Sequence, residues 1–261
     1  MDSGEIVERG TILRATVGST VHGLHHGGQD DRDEMAVYVE PPEYLLGLAR
    51  ARGIRGGLYG FEHYVERTQP EGARSGPGDL DLVAYSLRKY VRLALKGHPT
   101  ILLLLFVPGE LVQVETELGR GAARAAAGAA LAAGGARVPR LPARPAGAPA
   151  RHARTEAGEP ARARRGARIR HEVRDACGEA RLPGTRAPGD GPPHLPMPEP
   201  ERSRVMAIRT GERTWQETIG EIDEVEQRLA AALGRTPLPA EPDRLAVDRF
   251  LIDAYRRAWG W

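Results

Sequence analysis

Residues 12–39 read ILRATVGSTVHGLHHGGQDDRDEMAVYV, and this stretch decides the fold. Ile12–Val17 predicts a strand that ends in the small-residue turn Gly18-Ser19. Met35–Val39 predicts a second strand, closed by Pro41-Pro42. Asp31-Arg32-Asp33 stands at the entrance to that second strand. Residues i and i+2 of a strand share a face, so both carboxylates point the same way. Two such charges repel one another unless a cation joins them. Asp31 and Asp33 are therefore candidate metal ligands, and Gly18-Ser19 is a turn whose backbone N–H groups and hydroxyl can approach a phosphate. Singly, a Gly-Ser pair is most often just a turn, and Asp30–Glu34 also reads as a solvated charge run. The strand context is what joins them.

Outward from this stretch, residues 1–118 read as mixed α/β. Tyr44–Ala49 predicts a short helix and Leu58–Thr68 a strand, followed by a Gly/Pro-rich turn from Glu71 to Gly78. Asp79-Leu-Asp81-Leu-Val-Ala-Tyr85 then leads into Ser86. Leu87, Tyr90, Val91, Leu93, Ala94 and Leu95 give one apolar helical face. Gly97-His98-Pro99 stops that helix, and Thr100 is placed to cap a further one carrying the apolar run Ile101–Val107. Residues 195–261 read as helical. Thr214–Leu233 has Ile219, Ile222, Val225, Leu229 and Ala232 at helical spacing, with Gly234 past its end. After a Pro-rich linker, Arg244–Trp259 predicts a second helix with a Val247, Phe250, Leu251 and Tyr255 stripe, the pattern of ordinary core.

Between these parts the composition changes. Residues 119–193 contain no Phe, Trp, Tyr, Lys, Met, Ser, Asn or Gln, and Ala, Arg, Gly and Pro fill most positions. Such a stretch buries too little apolar surface to offset its ordering entropy. It reads as a low-complexity insert or, more sharply, as a GC-rich gene translated in the wrong frame. Read one base later, residues 167–184 (ARIRHEVRDACGEARLPG) permit HGYDTKYAMHAVRLGFQG, which regains aromatics, a lysine and a helical period. The expectation is a compensated pair of frame slips near Gly119 and His194. The chain then divides into an α/β core at 1–118, a frame-shifted and disordered 119–194, and a helical 195–261.

Charge follows the same division. Residues 119–193 hold 15 Arg against 6 Asp and Glu, whereas the rest of the chain holds 22 Lys and Arg against 29 acidic residues. The parts that read as folded are acidic, which argues against a broad basic surface for nucleic-acid backbones. The longest apolar run, Ile101–Val107, is far too short to span a bilayer. The acidic Met1–Gly10 lacks a signal-peptide layout, and the lone Cys177 allows no disulfide framework. The expectation is a cytoplasmic protein.

The strings GSTVHGLHHGGQDDRDEMAVYVEPPEYLLGL and GDLDLVAYSLRKYVRLALKGHPTILLLLFVP resemble the RNA repair pathway DNA polymerase β family, within the DNA polymerase β superfamily of nucleotidyltransferases. The resemblance covers residues 11–118 and returns from Leu195 to Trp259. The shifted text YDTKYAMH resembles that family too. His98 stands where the family more usually has Asn.

The resemblance implies an α+β fold, a polymerase-β-type mixed sheet with helices and then a helical C-terminal part. It implies transfer of a nucleoside monophosphate from an NTP to an acceptor hydroxyl, an RNA end among the candidates, with release of pyrophosphate. Gly18 and Ser19 would contact the nucleotide phosphates, and Asp31 and Asp33 would ligate two Mg²⁺ ions. The third carboxylate would be Asp81, with Asp79 behind it, as a metal ligand or a base. Arg88 and Lys89 suit either a phosphate contact or a helix surface, the latter being commoner. His22 is a candidate for the pocket mouth, and His25-His26 lacks the ligand spacing of a zinc site. The alternative reading is a catalytically impaired nucleotide- and metal-binding remnant of such an enzyme.

Overall fold

The computed structural model describes residues 2–25, 31–49, 61–70, 73, 75–133, 194–233 and 241–261. Five strands form one mixed sheet: β1 (Thr11–Thr16), β2 (Arg32–Tyr38), β3 (His63–Arg67), β4 (Leu80–Ser86) and β5 (Val112–Glu115), in the order β3-β4-β2-β1-β5. Strands β2 and β4 pair in parallel and the other neighbours are antiparallel. The architecture is the expected α+β.

The helices on the sheet are α1 (Ser3–Gly10), α4 (Leu87–Ala94) and α6 (Glu117–Ala133), with single turns α2 (Gly18–Val21), α3 (Pro42–Leu45) and α5 (Pro99–Leu102) between strands. The C-terminal part supplies α7 (Glu201–Thr210), α8 (Trp215–Leu233) and α9 (Arg244–Trp259). On one face of the sheet, Leu13, Ala15, Met35 and Val37 pack with Leu87, Tyr90 and Val91 of α4, Ala122 and Ala126 of α6, and Val247 and Tyr255 of α9. On the other, Ala36, Tyr38, Leu82 and Ala84 meet Ile6 and Val7 of α1, with Phe61 beside them. Strand β2 is buried on both faces from Glu34 onward, which fixes its register firmly.

Helix α4 begins where expected, with the Ser86 hydroxyl accepting from the Lys89 amide at 3.3 Å. The next helix does not. Its N-cap is His98 with Pro99 in the first turn, so Thr100 lies inside rather than capping. The fixed φ of proline is already helical, and proline lacks the N–H that would go unpaired there. The apolar run then breaks into a 3₁₀ turn, Leu103–Leu105, rather than continuing as one helix to Val107. The strand expected over 58–68 is observed as His63–Arg67, and its first residues lie outside the described ones.

Helix α6 runs straight through the boundary placed at residue 118. Gly119 is packed so tightly on β1 that a Cβ would overlap the Ile12 carbonyl, and Ala122 and Ala126 are fully buried. Spaced four apart, these alanines share the face turned to the sheet, and small side chains let the helix lie close. The first turns of α6 therefore belong to the core, contrary to the irregular structure expected there. Residues 134–193, the bulk of the segment expected to be frame-shifted, lie outside the described residues.

Helix α9 is tied to the far end of β2. Tyr255 donates its hydroxyl hydrogen to Glu40 Oε2 at 3.0 Å and accepts from the Arg88 amide at 3.1 Å, while Trp259 Nε1 donates to the Glu40 carbonyl at 3.0 Å. Among the described residues no helix is long and apolar enough to cross a membrane.

Candidate metal centre

Three carboxylates converge at the end of the sheet where β2 and β4 begin. Asp31, Asp33 and Asp81 each offer an oxygen lying within 4.8 Å of the other two. The pairing explains the convergence. Asp33 stands directly beside Asp81 in the parallel β2–β4 register, so their side chains share a face. Asp31, two residues before Asp33, shares it as well. Among the described residues this is the one group of three His, Cys, Asp or Glu side chains so arranged. Oxygen donors at this spacing suit a hard cation such as Mg²⁺ or Mn²⁺.

Strand β1 brings the Gly-Ser turn to the same place. The Val17 amide donates to the Asp33 carbonyl at 2.9 Å, and the chain then reverses through Gly18 at φ +65°. A Cβ at Gly18 would overlap the Asp33 carboxylate, so glycine is needed twice over, for the left-handed backbone and for the room. The turn closes as the Leu24 amide donates to the Ser19 carbonyl at 2.9 Å. Gly18 thus sits against the carboxylate cluster, with Ser19 next to it in the chain.

Asp79 and Asp81 have different tasks. The Asp79 carboxylate accepts from Thr68 Oγ1 and from the Gly76 amide, each at 2.9 Å, and so organises the turn into β4. The Asp81 carboxylate faces the cluster and accepts from Gln69 Nε2 and Ser75 Oγ, each at 2.9 Å, with Arg67 Nε at 3.1 Å. Arg67, Gln69 and Ser75 lie in and after β3. No spacing rule singles them out, because they meet Asp81 only through the β3–β4 hairpin.

Two other candidates lie apart from the cluster. Arg88 and Lys89 follow the far end of β4, roughly 16 Å along the strand from Asp81 at about 3.3 Å per residue. Lys89 Nζ is 3.9 Å from Glu62, and the Arg88 amide serves Tyr255. His22 follows α2, and burial lowers its pKa below the usual histidine value. Its Nδ1 is buried without a hydrogen-bond partner, and its carbonyl accepts from the Met197 amide at 3.1 Å. The C-terminal part therefore reaches the Gly-Ser turn, with Arg209 Nη1 also donating to the Leu24 carbonyl at 2.7 Å. His25 is exposed, and His26 lies outside the described residues.

On the opposite face of β2, Glu34 is 3% exposed and surrounded by donors. Arg14 contacts Oε2 through Nε and Nη2, Arg32 Nε reaches Oε1 at 2.9 Å, and Gln113 Nε2 reaches Oε1 at 2.9 Å. Strand alternation alone places Glu34 opposite Asp33, but its partners come from β1 and β5.

Residues 5–133 match the RNA repair pathway DNA polymerase beta family. No curated protein and no solved structure gives a match to the chain.

Proposed function

Through residues 5–133 the chain belongs to the RNA repair pathway DNA polymerase beta family, and on that premise we propose that it is a metal-dependent nucleotidyltransferase moving a nucleoside monophosphate from an NTP to an acceptor hydroxyl. The observation that carries this reading is the convergence of Asp31, Asp33 and Asp81 beside the Gly18-Ser19 turn. Asp31 and Asp33 hold divalent cations, with Asp81 as the third ligand. Two Mg²⁺ ions at such a site would supply activation of the attacking oxygen and charge stabilisation of the leaving pyrophosphate. Gly18 and Ser19 present backbone and hydroxyl to the triphosphate. The acceptor oxygen bonds to the α-phosphorus as the bond to the β-phosphate bridge breaks, and the hydroxyl proton goes to a base, the role open to Asp81 besides that of metal ligand.

An RNA end is the acceptor that the family's association favours. Outside residues 119–193 the chain is acidic, which suits a short contact with a terminus better than a long grip on a phosphate backbone.

The test is the melting temperature of the full chain with Mg²⁺ and ATP. Ligand at a hundredfold its dissociation constant stabilises a native protein by about 2.7 kcal/mol, a shift of several degrees. Wild type is expected to shift and Asp31→Ala/Asp33→Ala is not. An equal shift in both would sink the site assignment. The second reading, a binding remnant without turnover, is favoured by the composition of residues 119–193. It predicts the melting shift without release of pyrophosphate when an RNA 3′ end is added.

A further inference from the structure

The Asp31-Arg32-Asp33 stretch places a cation between two anionic ligands, where a guanidinium swung to the ligand face would compete with a metal. Arg32 lies on the other face of β2, held there by Glu34 at 2.9 Å. Glu34 does more than hold Arg32. It is buried, and its carboxylate is reached by Arg14 from β1 and Gln113 from β5, whose amide also donates to Thr16 Oγ1 at 3.0 Å. Three strands are thus joined through one side chain immediately after Asp33. A buried carboxylate costs several kcal/mol in lost hydration unless donors replace the water, and here donors on three sides do so. Breaking one side of such a network leaves the remaining charges unpaired, and the strand end it holds loosens.

We propose that Glu34 is a positioning residue for the carboxylate cluster: it locks the entrance of β2 between β1 and β5 and keeps Arg32 off the face shared by Asp31 and Asp33. This rests on the reading of the three aspartates as ligands of divalent cations.

Calorimetric titration of Mn²⁺ into the full chain tests it without needing turnover. Glu34→Gln removes the charge but keeps the size, and is expected to weaken Mn²⁺ binding about tenfold. Adding Arg32→Gln to Glu34→Gln recovers part of that loss, because the Arg32 guanidinium can then no longer compete. Arg14→Lys keeps the charge and loses the fork, so it weakens binding less than Glu34→Gln does. Each affinity is read at a temperature where circular dichroism shows the variant folded, so a merely structural role leaves it unchanged. A wild-type affinity in Glu34→Gln overturns the proposal. Should that variant fail to fold, a wild-type affinity in Arg14→Lys overturns it instead. Absence of Mn²⁺ binding by wild type is a different failure, because it removes the metal reading of the aspartates before any variant is compared.

Discussion

Two aspartates two residues apart, both at the mouth of β4, show how position divides work at the scale of single residues. Both carboxylates accept hydrogen bonds, Asp79 from Thr68 and Gly76 within the turn and Asp81 from Gln69 and Ser75 with Arg67 beside it, but only Asp81 also faces Asp31 and Asp33. Replacing Asp79 by Asn is expected to cost about 1–2 kcal/mol in urea unfolding, since its charge-assisted bonds organise the turn, and to leave Mn²⁺ affinity near wild type. Asp81→Asn also weakens charge-assisted bonds, those from Gln69, Ser75 and Arg67, so a similar stability loss of about 1–2 kcal/mol is expected, but with Mn²⁺ affinity sharply reduced. If both variants lose metal equally, the separation of roles is wrong. Gly18 gives a companion prediction. Gly18→Ala forces a side chain into a left-handed backbone and against the Asp33 carboxylate. A loss of at least about 1–3 kcal/mol and of Mn²⁺ binding together is expected, measured by urea unfolding and calorimetry.

At the scale of elements, the C-terminal helix α9 docks through a buried carboxyl. Glu40 is 2% exposed, and burial pushes its pKa up to about 7 in spite of the hydrogen bonds from Tyr255 and Ser86 that favour its charged form. In the unfolded chain the same group titrates near 4.3. Below that pH it is protonated in both states and costs nothing. Between the two values the unfolded state has released its proton and the folded state has not, so stability falls as pH rises and levels off above about 7. The size is on the order of 3 kcal/mol. Burial lowers the pKa of His22, His63 and His98, which acts in the opposite direction as pH falls through the histidine range. Those groups are common to wild type and Glu40→Gln and cancel in their difference. The advantage of Glu40→Gln over wild type, from urea unfolding at a series of pH values, is expected to grow from pH 5 to pH 8. Parallel stability curves would exclude the raised pKa. None of this is legible in the sequence, where Glu40 is simply the residue before two prolines. Residue patterning does find β1, β2 and β3, and helical periodicity finds α4, α8 and α9, but the pattern does not mark β4 as a strand. It misses α1, α7 and the short edge strand β5, which owe their place to tertiary contacts more than to pattern. The Asp31–Asp33 half of the candidate site is legible because two carboxylates on one strand face are a local pattern. Glu34, Gln69 and Ser75 are not, because their partners lie on other strands.

At the scale of the whole molecule, the packing of α6 and of the returning chain narrows the stretch whose composition departs from that of a folded protein. Gly119 fits only because it lacks a Cβ, a Cβ on Gly121 would lie 3.2 Å from the Phe250 ring, and Ala122 and Ala126 fill the space between α6 and the sheet. Four positions in register with their surroundings argue that the translated frame is the selected one at least through residue 126. From the other side, Met197 is buried and its amide reaches the His22 carbonyl, and Leu195 packs on the main core. The selected frame has therefore resumed by residue 195. We propose that the compensated slips lie within codons 127–194, downstream of the Gly119 that composition alone suggests. Resequencing the coding DNA across this window is expected to show one base gained or lost near each end, and the corrected text should carry the aromatics and lysine that the shifted frame permits over residues 167–184. The corrected protein should then release pyrophosphate from NTP faster than the present chain when an RNA 3′ end is added. An unchanged DNA sequence, with turnover by the present chain, would make the Arg-rich segment a genuine part of the enzyme and overturn the slip.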